Sequence, residues 1–283
     1  MIVSGSASQA LGAALAAELG EDLARVEYDR FADGEQVVEL PDCTGERVVV
    51  VAATPSDEAH VQLLLLQDAA REAGAAEVVT VLPYMGYARQ DEAFRAGQPV
   101  SARAVARAVS AGTDRVFAVN PHEEAVCEFF DVPATSLDAA GVLADPLPAD
   151  LTDPVFLSPD EGAVDLATTV RDAYGRGEVD FLEKTRDYDT GEVTVTPNDV
   201  SVTGRDVVVA DDIVATGSTV SEAVGVLDGR DPAGVYVACV HPTLAGNALT
   251  KLAAAGVDAV YGTDTLERAV SEVSVAPVVA DVL

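Results

Sequence analysis

The stretch VVVADDIVATGSTV, Val207–Val220, decides how this chain is read. Three valines and an alanine run into Asp211 and Asp212, and a loop of tiny residues follows before an apolar pattern resumes. A short, fully apolar, β-branched run is the mark of a strand buried on both faces, as in a parallel sheet. The helix that follows begins with unpaired backbone N–H groups and a partial positive charge, which together make an anion seat. Gly217 lets the backbone approach an anion, and Thr216, Ser218 and Thr219 add hydroxyl donors. Asp211 and Asp212, just before the seat, suit the vicinal hydroxyls of a sugar, so a sugar phosphate satisfies both halves at once. The same residues also suit a plain Ser/Thr-capped helix after an acidic turn.

Strands of the same kind recur on both sides of this stretch. ERVVVVAAT (46–54), AEVVTVLPY (76–84), RVFAVNP (115–121), PVFLSPD (154–160), GVYVACVHP (234–242) and AVYGTDT (259–265) are short and apolar, and Ala-rich helical patterns fall at 57–74, 101–111, 161–173, 217–228 and 245–255. Repeated βα units predict α/β architecture with parallel sheets and right-handed crossovers. The proline-rich LADPLPADLTDP (143–154) has no helical period and is the expected joint between two similar domains, 1–143 and 144–283. Ligands of such sheets bind beyond the carboxyl ends of the strands, where Asn120, His122, Asp160, Asp211, Asp212 and Asp264 fall.

The 283 residues include 48 acidic and 17 basic ones, for a net charge of −31. Only two lysines occur, Lys184 and Lys251. Phosphate neutralisation along a nucleic acid needs clustered Lys and Arg, so a nucleic-acid partner is disfavoured. No apolar run approaches the ~18 residues of a membrane span, and the N-terminus lacks the basic region of a secretory signal. Cys43, Cys127 and Cys239 are odd in number and widely spaced, which suits a reducing cytoplasm better than a disulfide framework.

Beyond the opening stretch, RFADGE (30–35), PYMGYARQDEAF (83–94), NPHEEAVCEFFDVP (120–133), LSPDEGAV (157–164) and LEKTRD (182–187) occur in an order and spacing that resemble the ribose-phosphate pyrophosphokinase (PRPP synthetase) family nearly end to end. The length and acidity are similar to short, haloarchaeal members. The resemblance implies two phosphoribosyltransferase-like domains, each a mainly parallel sheet flanked by helices. It also implies transfer of diphosphate from ATP to the 1-hydroxyl of ribose 5-phosphate, with Mg²⁺ as cofactor.

By that resemblance Lys184 and Arg186 are the catalytic cations of a loop that closes over the triphosphate, Arg186 also meeting the sugar phosphate. Arg89 and Gln90, with Asp91 beside them, match the ATP-binding segment. Phe31, Asp33, Gly34 and Glu35 form a hairpin that reaches a neighbouring subunit's adenine, which implies a homo-oligomer. Asp211, Asp212, Ala215, Thr216, Gly217, Ser218 and Thr219 hold ribose 5-phosphate, and His122 and Asp160 match the metal positions. His60 and His241 match no motif.

Three positions depart from the family pattern: Asn120 stands where Asp usually precedes the metal histidine, Ala215 where Asp is frequent, and Ser218 where a second glycine is common. A phosphoribosyltransferase shares the phosphate loop but needs only one such domain. A catalytically silent regulatory homologue is expected to lose the cations that Lys184 and Arg186 retain.

A net charge of −31 repels itself in dilute salt, whereas 1 M salt shortens the screening length to about 3 Å. The melting temperature should therefore climb steeply between 50 mM and 2 M KCl. Equal melting in both would refute the charge argument.

Overall fold

The computed structural model describes residues 1–186, 193–197, 200–227 and 229–283. They form two compact units, one of residues 1–139, 264–267 and 274–283, the other of residues 140–263 and 268–273.

The first unit is built on a five-stranded parallel sheet. Its strands are β1 (Ile2–Ser4), β4 (Arg47–Val51), β5 (Glu77–Leu82), β6 (Arg115–Val119) and β7 (Ala134–Leu137), in the order β1-β4-β5-β6-β7. Val48, Val49, Val50 and Val51 are all fully buried, so β4 is covered on both faces and its run of valines is what that position requires. An antiparallel hairpin of β2 (Glu27–Arg30) and β3 (Gln36–Glu39) stands apart from the sheet. Around these lie α1 (Gln9–Leu19), α2 (Asp57–Glu72), α3 (Ser101–Ser110) and the short C-terminal α7 (Ala276–Ala280), which packs against α1. The N-terminus of α2 is fixed by Ser56, whose Oγ accepts from Ala59 N at 3.2 Å, with Asp57 and Glu58 in the first turn.

The second unit carries a seven-stranded sheet in the order β10-β9-β8-β11-β12-β13-β14. Its strands are β8 (Val155–Ser158), β9 (Glu178–Arg186), β10 (Val193–Pro197), β11 (Asp206–Ile213), β12 (Gly234–His241), β13 (Ala259–Thr263) and β14 (Ser271–Val273). Only β10 runs antiparallel to its neighbour. The flanking helices are α4 (Val164–Tyr174), α5 (Ser218–Val226) and α6 (Ala248–Ala254). The central strand is β11, held between β8 and β12, and its Val207, Val208, Val209 and Ala210 are fully buried.

The seven apolar runs named above become β4, β5, β6, β8, β11, β12 and β13, and each expected helix is present. Contact divides the chain between residues 139 and 140, four residues before the expected boundary after residue 143, and returns 264–267 and 274–283 to the first unit. The proline-rich 143–154 stretch packs into the second unit. Leu147 and Leu151 are buried, Pro148 O accepts from Tyr174 Oη at 2.6 Å, and Asp153 O accepts from Arg205 Nε at 2.7 Å. Its prolines mark an irregular but anchored connection. No helix among the described residues is long and apolar enough to cross a membrane.

Candidate functional site

In the second unit the centre of the sheet delivers the acidic pair. Asp211 and Asp212 lie in the last three residues of β11, with Asp211 opposite Cys239 and Ile213 opposite His241. Burial pushes the Asp211 carboxyl up to about 8, helped by the negative charges of Asp212 and Asp160. The protonated form of Asp211 is thereby favoured near neutrality, and it can donate as well as accept a hydrogen bond. Cys239 is fully buried and its thiol is driven up for the same reason, burial first and the Asp211 charge second.

The loop after β11 is pinned to the connection between β12 and α6. Leu244 N donates to Val214 O at 2.9 Å and Ala245 N to Ala215 O at 2.8 Å. Gly217, in the left-handed region with φ +70°, is the N-cap of α5, and no side chain caps that end. The hydroxyls of Thr216 and Ser218 lie 3.1 Å apart instead of capping the helix. No side chain caps α5 here, so its first turn leaves N–H groups without a side-chain partner, as an anion seat requires. A Cβ on Gly217 would stand 3.3 Å from Leu252 Cγ and 3.4 Å from Ala248 O, so left-handed backbone and close packing both call for glycine. Thr216 and Thr219 are exposed at the mouth, while Ala215 is half-buried.

Beside this seat, β8 ends at Ser158, and Asp160 opens the 3₁₀ turn Glu161–Ala163, its Oδ1 accepting from Gly162 N at 3.1 Å. Strand β9 outgrows β8, its last partner there being Ser158 opposite Phe181. The remainder pairs with β10, with Lys184 opposite Val195 and Arg186 opposite Val193. The buried Asp180 fixes the base of this arm by accepting from Phe181 N at 2.9 Å and Val200 N at 3.0 Å. Lys184 and Arg186 thus lie on a strand; the loop expected to close over the substrate includes residues 187–192 and 198–199, which lie outside the described residues.

In the first unit, Arg89 and Gln90 line a cavity of about 380 Å³ with Thr54, Ser56, Asp57, Tyr84, Gly86 and Tyr87. The turn bearing them depends on Gly86, whose N donates to Thr54 Oγ1 at 2.9 Å and whose Cβ, were there one, would lie 2.1 Å from Thr54 O. Tyr87 takes φ +67° and its hydroxyl bonds Asp57. Arg89 is exposed, Gln90 accepts from Ser101 Oγ, and Asp91 is half-buried. The hairpin tip is a tight turn, with Phe31 N bonded to Glu35 O at 2.8 Å, Gly34 at φ +94°, and Asp33 Oδ1 accepting from Glu35 N at 3.2 Å. Phe31 is 61 % exposed at this tip, turned away from the unit's own core.

Asn120 closes the ends of β6 and β7, its Nδ2 donating to Asp138 Oδ1 at 2.8 Å and its Oδ1 accepting from Ala139 N at 2.7 Å. An Asp there would set two carboxylates against each other, so the amide suits this strongly acidic chain. His122, two residues on, is exposed and belongs to the first unit, whereas Asp160 belongs to the second. His241 is buried at 1 % exposure beneath the loop, its carbonyl accepting from Val214 N at 3.2 Å.

Sequence reasoning missed Lys251 on α6, whose Nζ donates to Ser218 Oγ at 2.8 Å. Its rarity was a visible signal, but its neighbour in space lies 33 positions away. It also missed Thr54, Ser56 and Asp57 of the cavity, which carry no motif of their own.

Comparison with known proteins covers both units. Residues 1–112 match the model for the N-terminal domain of ribose phosphate pyrophosphokinase, and residues 133–271 match the model for a phosphoribosyl transferase domain. The chain is 66 % identical over 284 aligned residues to the ribose-phosphate pyrophosphokinase of Halobacterium salinarum, with 100 % of both proteins covered. It is 44 % identical to that of Methanosarcina mazei, covering 100 % of this chain and 94 % of the relative. Its structure is similar to the crystal structure of phosphoribosylpyrophosphate synthetase from Mycobacterium smegmatis, with a TM-score of 0.84 at 30 % identity, covering 99 % of this chain and 96 % of that one.

In the fold Asp211 holds its proton to about pH 8, against an ordinary value of 3.8. The unfolded chain ionises first, so this group's contribution to stability is lost as pH rises from about 4 to about 8. Asp211→Asn is spared that loss. In ligand-free protein at one fixed KCl concentration, its melting temperature should exceed the parent's by more at pH 8 than at pH 5. An equal difference at both would show that burial does not govern this carboxyl.

Proposed function

The chain belongs to the ribose-phosphate pyrophosphokinase family, and from that premise we propose that it transfers diphosphate from ATP to the 1-hydroxyl of ribose 5-phosphate, releasing AMP and PRPP. The observation that carries this reading is the uncapped, glycine-led start of α5 close after the half-buried pair Asp211 and Asp212. A phosphoribosyltransferase shares such a seat but does not account for the full-length likeness to the relatives.

The 5-phosphate sits at the first turn of α5, bonded by backbone N–H groups from Gly217 to Thr219 and by the hydroxyls of Thr216, Ser218 and Thr219. Asp211 and Asp212 hold the ring hydroxyls, and Ala215 leaves that side without a third carboxylate. The 1-oxygen attacks the β-phosphorus of ATP and loses its proton, the bond from that phosphorus to the oxygen of the α-phosphate breaks, and AMP departs. This is chemistry of positioning and charge neutralisation. Lys184 and Arg186 meet the charge that moves between the phosphates, Arg186 reaching the sugar side as well. Arg89 offers a guanidinium fork to the ATP phosphates, with Gln90 and Asp91 fixing its surroundings. Phe31 stacks on the adenine of a neighbouring copy, while Asp33, Gly34 and Glu35 complete that contact, so the working unit is a homo-oligomer.

Among the described residues no group of three or more His, Cys, Asp or Glu forms a metal cage. Mg²⁺ needs none: it keeps water and takes one or two carboxylates together with substrate phosphates. Asp160 would supply such a carboxylate, its side chain engaging Gly162 through Oδ1 alone among the hydrogen bonds described, and His122, in the first unit, is kept as a metal-site residue on the family resemblance. When bound, Mg²⁺ neutralises the triphosphate. We place the enzyme in the cytoplasm, where ATP is made and where free Cys43, Cys127 and Cys239 stay reduced.

Incubation with ATP, Mg²⁺ and ribose 5-phosphate in molar KCl should yield AMP and PRPP in equal amounts; AMP without PRPP would overturn the assignment. Lys184→Ala should lower kcat by about 10²–10³, the usual cost of losing an electrostatic contact to the transition state. The KM for ribose 5-phosphate should stay within a few-fold, and a near-parental kcat would remove Lys184 from catalysis. Mixing Phe31→Ala/Glu35→Ala protein with Lys184→Ala protein should recover activity through hybrid interfaces. Full activity in an isolated monomer would disprove the shared site.

A further inference from the structure

Lys251 carries an interaction that the proposed chemistry has not yet used. It lies in the last turn of α6, and its ammonium donates to Ser218 Oγ at 2.8 Å, while that oxygen stands 3.1 Å from Thr216 Oγ1. The approach is set by packing. Ala248 and Leu252 are fully buried and are the atoms that a Cβ on Gly217 would meet. Positions 248, 251 and 252 share one face of a helix, so the contact that excludes a side chain at 217 also brings Lys251 to the loop.

A lysine in the last turn of a helix interacts well with the helix dipole, which is reason enough for its position. The dipole does not explain where the ammonium points. In a chain with 48 carboxylates and two lysines, Lys251 is paired with no carboxylate among the described residues and is turned onto a loop hydroxyl instead. Because the ammonium can only donate, it occupies one lone pair of Ser218 Oγ and leaves the Ser218 hydrogen free to donate elsewhere. The two hydroxyls can bond one another, with either as donor, or both can donate to an oxyanion lodged between them. Ser218, where a second glycine is usual in this loop, supplies the oxygen through which the cation acts.

We propose that Lys251 is a further binding residue of the sugar-phosphate seat, a fixed cation that meets the 5-phosphate of ribose 5-phosphate together with Ser218. The proposal rests on the assignment of the α5 start as that seat. Lys251 differs in task from Lys184 and Arg186: its charge faces a phosphate whose charge does not change in the reaction, so it acts on capture and not on the chemical step.

The test is calorimetric titration of ribose 5-phosphate into ATP-free protein in 2 M KCl, beside steady-state kinetics. A charge-assisted hydrogen bond is worth about 1.5–3 kcal/mol, so Lys251→Met should weaken binding about ten- to hundred-fold. The KM for ribose 5-phosphate should rise in step, while kcat and the KM for ATP remain within a few-fold. Lys251→Arg should recover part of the loss, and inorganic phosphate should compete less well against Lys251→Met than against the parent. Gly217→Val is the control for the seat. If Gly217→Val abolishes ribose 5-phosphate binding and Lys251→Met leaves it unchanged, the lysine proposal falls and the seat stands. If neither variant weakens binding, the seat assignment falls and the proposal with it. Should Lys251→Met melt early, Lys251→Gln, which keeps a donor toward Ser218 Oγ but removes the charge, decides the matter: a several-fold weaker affinity supports the cation, and parental affinity overturns it.

Discussion

The structure of the second unit turns on one constraint, the burial of carboxylates at the end of the central strand. Strand β11 is covered on both faces and flanked by β8 and β12, so Asp211, still paired with Cys239 within the strand, is held largely away from water. Burial, ahead of repulsion from Asp212 and Asp160, raises its pKa, and salt screens only the second effect. Such a group is costly in the ligand-free fold and becomes useful only when hydroxyls or cations arrive to meet it. The elements around it are those needed to bring ligands there: a glycine-led helix start on one side, Asp160 on another, and an arm carrying Lys184 and Arg186 anchored at its base by Asp180.

The same acidity shapes the rest of the molecule. Among the described residues, arginine carries the ion pairs between side chains, as in Arg47 with Glu21 and Arg71 with Asp114, both at 2.6 Å. Most of the remaining acid is solvated surface, whose mutual repulsion extends over the length that salt can shorten. Direct contacts such as Lys251 with Ser218 fall within that length, so molar salt calms the surface without erasing the site.

Much of this was legible in the sequence, for physical reasons. Strands buried on both faces must be continuously apolar, and this is why β4, β5, β6, β8, β11, β12 and β13 stand out by composition alone. Strands β7, β14 and helix α7 have 4, 3 and 5 residues, too few for any period to show. In the 143–154 stretch the prolines announce irregular backbone, not exposure; only Leu147 and Leu151, buried in the fold, tell that the segment is packed. Within the site, the loop was readable because Gly217 and its hydroxyl neighbours are contiguous. The Thr54–Asp57 contribution to the Arg89 cavity and the reach of Lys251 were not, because both arise from packing between elements distant in the chain.

The departures from the family pattern can then be weighed together. Ala215 takes one negative charge away from the loop after β11, and Asn120 takes another from the end of β6, where Asp138 already supplies one. Ser218 adds a hydroxyl that an ammonium holds from behind. Each change makes its surroundings less negative or better supplied with donors, in a chain whose whole surface goes the other way. A phosphate approaching this protein meets the repulsion of a net charge of −31, which high salt weakens at a distance but not at contact. Selection for an acidic surface and selection for anion binding are in conflict here. The loop resolves that conflict locally, with backbone dipoles, hydroxyls and one well-placed lysine rather than a basic patch.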